Sequence, residues 1–426
     1  MPLNKIETLP CGATIPNRLA KAAMTEGLAD PGGQVSDRLI RLYQRWADGG
    51  IGLQITGNIM VDQRYRERPA NIVVDGKQTD AAMAGLSKWA EAAQSGGAKM
   101  IGQISHAGRQ SPKSIAPEPV GPSAVAVKLP GGLFAKPRAL SHDEILDVVQ
   151  RFTRTSRVLC DAGFDGVQVH AAHGYLISEF LNPLVNQRDD DWGGSLENRA
   201  RLLIEVVRSV RANIGRKKIL SVKLNSSDFQ KGGFSFADCL RVVKLLDQES
   251  IDLLEISGGN YEQPRMMGLN GLEPVFEDNV RSSTRSREAY FMGYAAKVIE
   301  SASMPVMVTG GFRSAEAMNA ALEEGVAMIG LGRPLCVDPD APSKLINGEL
   351  SALPALEKNL RLGPAWFGPS SSNDTIKAAN GFAAMAFYYR NIIAMGNGQP
   401  SRKKMNLLSV LIKHQLQEMR DASTFT

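Results

Sequence analysis

The feature that most constrains the fold is an alternation of short apolar runs with longer helical patterns between residues 19 and 350. The runs are LAKAAM (19–24), IGLQIT (51–56), KMIGQIS (99–105), DGVQVHA (165–171), KILSVKL (218–224), IDLLEIS (251–257), PVMVTGG (305–311) and VAMIGLG (326–332). Eight strands alternating with eight helices predict an α/β fold, a closed (β/α)8 TIM barrel rather than an open doubly wound sheet. In such a barrel the functional residues lie on loops after the strands.

Helix start signals support this interpretation. Ser141 and Glu144 form a capping box ahead of an apolar helical pattern. The segment after Ser195 places one apolar face on a helix, formed by Leu196, Ala200, Leu203, Val207, Val210 and Ile214. The Pro- and Gly-rich loop 111–140 is long enough to be a lid or substrate wall, or else a surface excursion.

The alternation stops near residue 350, which predicts a barrel domain over 1–350 and a mostly helical extension over 351–426. The stretch 378–398 is apolar but interrupted by Arg390, Asn391 and glycines, so we expect no membrane span. Residues 402–419 have the pattern of a basic amphipathic helix. We expect it to pack on the barrel or on a neighbouring subunit, with attachment to a membrane surface as the alternative.

Charge and cysteine spacing exclude several classes of function. The net charge of +5 comes without a strong basic block, which argues against nucleic acid as a partner. The four cysteines lie far apart without a CxxC, which argues against disulfides, zinc or an iron–sulfur cluster. The N-terminus has no apolar signal core. We therefore expect a cytoplasmic protein without a metal site.

Two of the five histidines lie in VHAAHGYLISEF (169–180), just after the fourth predicted strand. Neighbouring imidazoles at His170 and His173 can donate two hydrogen bonds to one oxygen, which suits a carbonyl that gains negative charge. Tyr175, at the same mouth, can supply a proton from its hydroxyl. His106 follows the third strand. A structural histidine could occupy any one of these three positions, but their convergence on one face of the barrel favours function.

Glycine-rich segments end the seventh and eighth predicted strands, in TGGFRS (309–314) and GLGRP (330–334). Helix starts are predicted at Ser314 and near Asp338. This arrangement is typical of the phosphate site of a barrel, where backbone N–H groups and a helix N-terminus face the anion. The site would comprise Gly310, Gly311, Gly332 and Arg333, the last adding a planar cationic fork.

Three polar side chains near other strand ends complete the candidate site. Lys223 would project into the barrel, where an ammonium is costly unless it is paired with an anion. The amide of Gln103 can donate and accept, which suits the edge of a heterocycle. Thr25 offers a hydroxyl at the end of the first strand.

The long segment VHAAHGYLISEFLNPLVNQRDDDWGGSLENRARLL (169–203) closely resembles the Old Yellow Enzyme family of NAD(P)H:flavin oxidoreductases. NRLAKAAMT (17–25), GQISHAGRQ (102–110), TGGFRS and GLGRPLCVDP (330–339) match it in the same order, so the resemblance covers about residues 1–345. It implies tightly, non-covalently bound FMN, NAD(P)H as electron donor and a small unsaturated substrate. The implied reaction reduces the activated C=C bond of α,β-unsaturated carbonyl or nitro compounds by hydride transfer from reduced flavin.

The resemblance also implies a role for each matching residue. His170 and His173 would bind the substrate oxygen, and Tyr175 would protonate the α-carbon. Thr25 would hydrogen-bond the flavin near its reactive edge, and Gln103 would hold its pyrimidine edge. The implied cofactor contacts are completed by Ala22, Ala23, Met24 and Gly57 along the ring, Lys223 beside N1 and O2, and Gly310, Gly311, Gly332 and Arg333 at the phosphate.

The chain departs from the family pattern at three points. Lys223 stands where members usually have arginine, so the positive charge is kept but the planar fork is lost. Ala23 replaces a common proline. A cysteine cluster after the barrel, which the multidomain iron–sulfur relatives need, is missing from the sequence.

Two other classes of function compete with this interpretation. One is a flavin-free lyase or aldolase in which Lys223 forms a Schiff base and Tyr175 is the acid/base. The other is a barrel without turnover that acts through its tail as an interaction module. The sequence leaves open the physiological substrate, the choice between NADH and NADPH and the oligomeric state, and a homo-oligomer is compatible with it.

Overall fold

The computed structural model describes residues 2–129, 132–258, 292–369 and 371–425, and its centre is a closed barrel of parallel strands. The eight strands are β1 Leu19–Lys21, β2 Leu53–Ile55, β3 Lys99–Ser105, β4 Gly166–Ala171, β5 Ile219–Asn225, β6 Leu253–Ser257, β7 Val306–Thr309 and β8 Met328–Leu331. Each strand pairs in parallel with the next, and β8 closes the barrel on β1 through Gly330 and Ala20. The predicted TIM barrel is confirmed.

Helices between the strands, and two more after the last strand, surround the barrel. They are α1 Asp37–Asp48, α2 Asp80–Gln94, α3 His142–Asp161, α4 Leu176–Leu181, α5 Leu196–Ile214, α6 Phe236–Leu246, α7 Met292–Ser301, α8 Ala315–Glu323, α9 Arg333–Val337 and α10 Ala341–Ile346. The capping box of Ser141 and Glu144 starts α3 as predicted. The predicted apolar face of α5 is buried except at Ile214, which is half-buried.

Side chains alternate between two environments along each strand, as the strand period requires. In β5, Leu220 and Val222 belong to the apolar layer that the strands share with the helices. Ile219 belongs to a separate cluster inside the barrel, formed mainly by Ile101, Leu253 and other residues near the starts of the strands. The barrel interior is therefore apolar at its N-terminal end.

A short hairpin closes this end of the barrel, and the sequence analysis did not predict it. Strand Glu7–Thr8 pairs antiparallel with Thr14–Ile15. Leu9 and Ile15 of this hairpin are buried in the interior cluster. Chemistry that needs access from solvent is thereby limited to the opposite end.

The C-terminal extension is mostly helical, as predicted, with α11 Asp374–Gly396 and α12 Leu407–Phe425. It packs on the barrel helices: Arg41 Nη1 donates to the Gly396 carbonyl at 2.5 Å, and Ser401 Oγ donates to the Val337 carbonyl at 2.5 Å. Helix α12 folds back on α11, where the Tyr389 and His414 rings stack. A boundary between two domains at residue 350 stays a prediction. No helix in the described ranges is both long and apolar enough to cross a membrane.

Candidate functional site

The turn between β4 and α4 brings the three predicted catalytic side chains together. The ring centroids of His170 and His173 lie 5.0 Å apart, and those of His170 and Tyr175 lie 4.9 Å apart, both edge to face. All three side chains are buried. The HAAHGY spacing thus produces one compact cluster at the C-terminal end of β4.

His173 adopts a left-handed backbone conformation, with φ of 63°, which a side chain other than glycine rarely takes. Its N–H donates to Asn225 Oδ1 at 3.3 Å, and its carbonyl accepts from Gln110 Nε2 at 3.1 Å. Asn225 is oriented in turn by Asp228, whose Oδ1 accepts from the amide at 2.7 Å. Burial raises the pKa of Asp228 to about 6. The sequence analysis did not identify this supporting layer.

The burial of His170 and His173 favours the neutral form of both imidazoles. Burial and then the nearby Lys223 ammonium lower the pKa of His170 and of His173 well below the ordinary value of 6.5. The Ala172 N–H donates to His170 Nδ1 at 3.2 Å, so the proton of the neutral ring is on Nε2. His170 therefore offers a donor, and no described residue hydrogen-bonds to that nitrogen.

The second imidazole is engaged through one ring nitrogen. His173 Nε2 lies 2.9 Å from Ser257 Oγ at the end of β6. When the serine hydroxyl donates, the proton of the neutral ring is on Nδ1. His173 then offers Nδ1–H to a ligand, as His170 offers Nε2–H.

Four buried polar side chains form a chain across the upper barrel interior. Gln103 Nε2 donates to Gln168 Oε1 at 2.7 Å, and Gln168 Nε2 donates to Glu255 Oε2 at 2.9 Å. Glu255 Oε1 lies 2.8 Å from Lys223 Nζ. The anion that a buried Lys223 requires is thus a carboxylate of the protein itself.

Gln103 and Lys223 were predicted from the sequence, whereas Gln168 and Glu255 were not. A signal was available, because Glu255 lies two residues after the interior Leu253 within a predicted strand. The parallel register places Glu255 opposite Lys223. Predicting that Glu255 meets Lys223 requires the order of the strands in the barrel as well as the two-residue alternation along each strand.

The segment after β1 reaches the barrel mouth. Ala22 is buried and its N–H donates to the Leu331 carbonyl at 2.9 Å, so it continues the sheet. Ala23 and Met24 are partly exposed beyond it. Thr25 Oγ1 donates to Glu67 Oε2 at 2.8 Å. The single hydroxyl proton of Thr25 is therefore directed to Glu67, a partner that the sequence did not reveal.

Gly57 packs the end of β2 against this segment. Its N–H donates to Glu26 Oε1 at 3.1 Å, and a Cβ at this position would lie 2.4 Å from the Met24 carbonyl oxygen. Glu26 also binds the Tyr43 hydroxyl and the Lys21 ammonium. Burial lowers the pKa of Lys21, and the Glu26 charge opposes that shift. A glycine is required here because two backbone segments approach closely.

The glycine-rich ends of β7 and β8 lie side by side, since Thr309 pairs with Gly330. Gly310 and Gly311 have φ of 118° and 83°, conformations that favour glycine. Ser314 caps α8 as predicted. A helix starts near Asp338 as predicted, since α10 begins at Ala341 with Asp340 as its N-cap. The short α9, which begins at Arg333 directly after Gly332 and has a proline in its first turn, was not predicted.

The two arginines beside these glycines differ in their partners. Arg313 Nη2 lies 2.6 Å from Glu357 Oε1. Arg333 is half-buried, and within the described part of the chain its guanidinium has neither a hydrogen bond nor an ion pair. A guanidinium that no described side chain pairs with, near positive-φ glycines, suits a phosphate group.

His106, the third histidine near a strand end, contacts neighbouring protein groups. Its Nδ1 accepts from the Gly108 N–H at 3.1 Å, and its ring packs against Tyr65. Burial lowers its pKa to about 4. Within the described ranges, no three His, Cys, Asp or Glu side chains are arranged to hold a metal ion.

The sequence matches one family of known proteins over most of its length. Residues 11–350 match the model of the NADH:flavin oxidoreductase / NADH oxidase family. The chain is 37% identical over 361 residues to the NADH-dependent flavin oxidoreductase iliE of Hypocrea jecorina, covering 80% of this chain and 87% of that one. It is 35% identical over 352 residues to the NADH-dependent flavin oxidoreductase nadA of Aspergillus parasiticus, covering 79% and 76%.

Solved structures of related proteins have the same fold as this chain. An old yellow enzyme homologue from Zymomonas mobilis superimposes with a TM-score of 0.67 at 25% identity, covering 82% of this chain and 94% of that one. Morphinone reductase in complex with tetrahydroNAD superimposes with a TM-score of 0.66 at 26% identity, covering 83% and 92%. The chain belongs to the NADH:flavin oxidoreductase / NADH oxidase family, and it is a flavin-dependent oxidoreductase of the old yellow enzyme type.

Proposed function

We propose that the protein uses FMN and NAD(P)H to reduce the activated C=C bond of α,β-unsaturated carbonyl or nitro compounds. The observation that carries this proposal is the neutral His170, with its proton on Nε2, beside His173 and Tyr175 at the barrel mouth. This cluster can bind an oxygen and supply a proton.

The histidine pair acts on the substrate oxygen. A carbonyl or nitro oxygen between the rings would accept from His170 Nε2–H and from His173. Negative charge grows on that oxygen during addition to the conjugated carbon, and preorganised donors in a buried site stabilise it. Neutral imidazoles suit this role because they donate without bringing a buried charge.

Tyr175 supplies the proton. It directly precedes α4, and its ring lies edge to face with His170, so its position is fixed relative to the oxygen clamp. A phenol beside the clamp can protonate the α-carbon of a substrate whose oxygen is held by the histidines.

The described residues fit FMN. Arg333 and the positive-φ Gly310 and Gly311 suit its phosphate, and Lys223 and Gln103 suit the polar edge of its ring. Lys223 offers a point charge where the family resemblance implies the planar guanidinium of an arginine. When bound, FMN would supply the redox chemistry, accepting electrons from the nicotinamide and passing them to the β-carbon.

The visible absorbance spectrum of the purified protein tests this proposal. Under anaerobic conditions we expect a yellow protein that bleaches with NADH or NADPH and regains its colour with cyclohexenone. NADH is included because the relatives from Hypocrea jecorina and Aspergillus parasiticus are named NADH-dependent. NADPH is included because the sequence does not decide between the two nicotinamides. Bleaching without recovery would reject this acceptor, and a colourless protein that FMN does not reconstitute would overturn the proposal.

The ion pair of Lys223 argues against the Schiff-base alternative. Schiff-base formation needs a neutral amine. Lys223 Nζ instead lies 2.8 Å from the fully buried Glu255 carboxylate, an arrangement that favours the ammonium. Borohydride trapping with a carbonyl substrate should leave Lys223 unlabelled.

A further inference from the structure

We propose that Glu255 and Gln168 are positioning residues of the flavin site. The Glu255 carboxylate offsets the charge of Lys223 and, through Gln168, fixes the direction in which Gln103 presents its amide. The inference deepens the proposed function and rests on it for the identity of the cofactor.

Glu255 fixes the orientation of the Gln168 amide. A carboxylate only accepts hydrogen bonds, so Glu255 requires the NH2 end of Gln168, at 2.9 Å from Oε2. The same NH2 group donates to Ser221 Oγ at 3.1 Å, which uses its second proton. Gln168 is fully buried, and its carbonyl oxygen is therefore directed to Gln103.

Gln168 in turn fixes the orientation of the Gln103 amide. The Gln168 carbonyl accepts from Gln103 Nε2 at 2.7 Å. Reversing the Gln103 amide would place two carbonyl oxygens at that distance in a buried site, a costly contact. Gln103 is thus left with Oε1 and one N–H to present to a ligand. That pattern complements a ring edge that carries an N–H beside a carbonyl.

The charges of Lys223 and Glu255 have opposite effects on the reduction potential of a bound cofactor. Lys223 and Glu255 are both buried, so their fields are weakly screened. A lone ammonium would strongly favour the more negative, reduced cofactor. The carboxylate opposes this effect, and it sets the reduction potential below that of a site with the lysine alone.

The test of the charge effect is the reduction potential of the FMN-loaded protein, measured by spectroelectrochemistry. We expect Glu255→Gln to shift the equilibrium toward the reduced cofactor by at least about tenfold, which is about 30 mV for a two-electron couple. Glu255→Asp, which keeps the negative charge, should have the reduction potential of the wild-type protein. The matched control is Glu91→Gln on the exposed face of α2, which removes the same charge at a distance.

A charge cycle separates this role from a purely structural one. Lys223→Gln should shift the potential in the opposite direction, and Lys223→Gln/Glu255→Gln should return it toward the wild-type value. A potential in Glu255→Gln equal to that of Glu91→Gln would overturn the charge effect. Absence of compensation in the double variant would do the same.

The test of the amide direction is FMN affinity in Gln168→Met, which keeps the volume and removes the hydrogen bonds. We expect the dissociation constant to rise about tenfold, the loss of roughly one net hydrogen bond. An unchanged dissociation constant would overturn the relay through Gln168, even where Glu255→Gln does not fold. A wild-type protein that binds no FMN would refute the proposed function, whereas FMN binding with unchanged variants would refute only the positioning roles.

Discussion

The two halves of the barrel interior are built by the same strands and differ in composition. Near the strand starts, Ile101, Ile219 and Leu253 form an apolar cluster under the N-terminal hairpin. Two residues further along β3 and β6, the same face carries Gln103 and Glu255. Packing of apolar side chains accounts for the lower half, near the strand starts, whereas the buried polar side chains of the upper half, Gln103, Gln168, Lys223 and Glu255, are held by one another.

The largest expected effect comes from breaking the ion pair of the upper half. Lys223→Met should lower the free energy of unfolding of the cofactor-free protein by about 3–5 kcal/mol, because Glu255 is left buried without a cation. Urea denaturation at pH 7 measures this. Lys223→Met/Glu255→Met should recover most of the loss, and a single variant as stable as the wild type would contradict the comparison.

Leu253→Ala tests the lower half. Its side chain is fully buried in the interior cluster, so its truncation should cost about 2–4 kcal/mol of unfolding free energy. FMN affinity should remain unchanged, because the substitution lies below the polar chain. The control is Leu408→Ala on the exposed face of α12, where little change is expected. Loss of FMN from folded Leu253→Ala would show that the halves are coupled.

His170→Ala tests the upper half for function. We expect FMN to stay bound and kcat/KM for cyclohexenone to fall about 100-fold, the range for losing one preorganised donor. The anaerobic spectrum and stopped-flow reoxidation separate these two quantities. Loss of the flavin with the fold intact would contradict the assignment of His170 to the substrate.

The smallest effect concerns a histidine buried outside the barrel interior. Burial, aided by Arg68 and Arg390, lowers the pKa of His414 from 6.5 to about 4. Between these values the unfolded chain binds more protons, so the stability contributed by neutral His414 is present above pH 6.5 and lost as pH falls. Between pH 7 and pH 5, His414→Phe should lose about 1 kcal/mol less stability than the wild type. An equal loss would assign the acid sensitivity to other groups.

The strand pattern could be predicted because burial acts on each strand locally. The predicted run 99–105 coincides with β3, and the run 165–171 differs from β4 by one residue. Boundaries were less accurate at β1, predicted over 19–24 and found over Leu19–Lys21, because the following residues turn into the mouth.

The partners of the site residues could not be predicted in the same way. Glu67 binds Thr25 from 42 positions away, and Glu255 lies 32 positions after Lys223. Periodicity assigns a residue to a face, but strand order and loop path decide which residues meet there. The sequence therefore indicated Thr25 and Lys223 as functional and did not reveal the carboxylates that hold them.

The left-handed backbone of His173 has a consequence for substitution at this position. Such a conformation costs a non-glycine residue about 1–3 kcal/mol, and the contacts of Asn225 and Gln110 maintain it. Glycine adopts it without strain. His173→Gly would relieve this strain but would also remove a buried ring that packs on His170 and lies 2.9 Å from Ser257 Oγ. The packing of the imidazole thus offsets part of the free energy that its own backbone conformation costs.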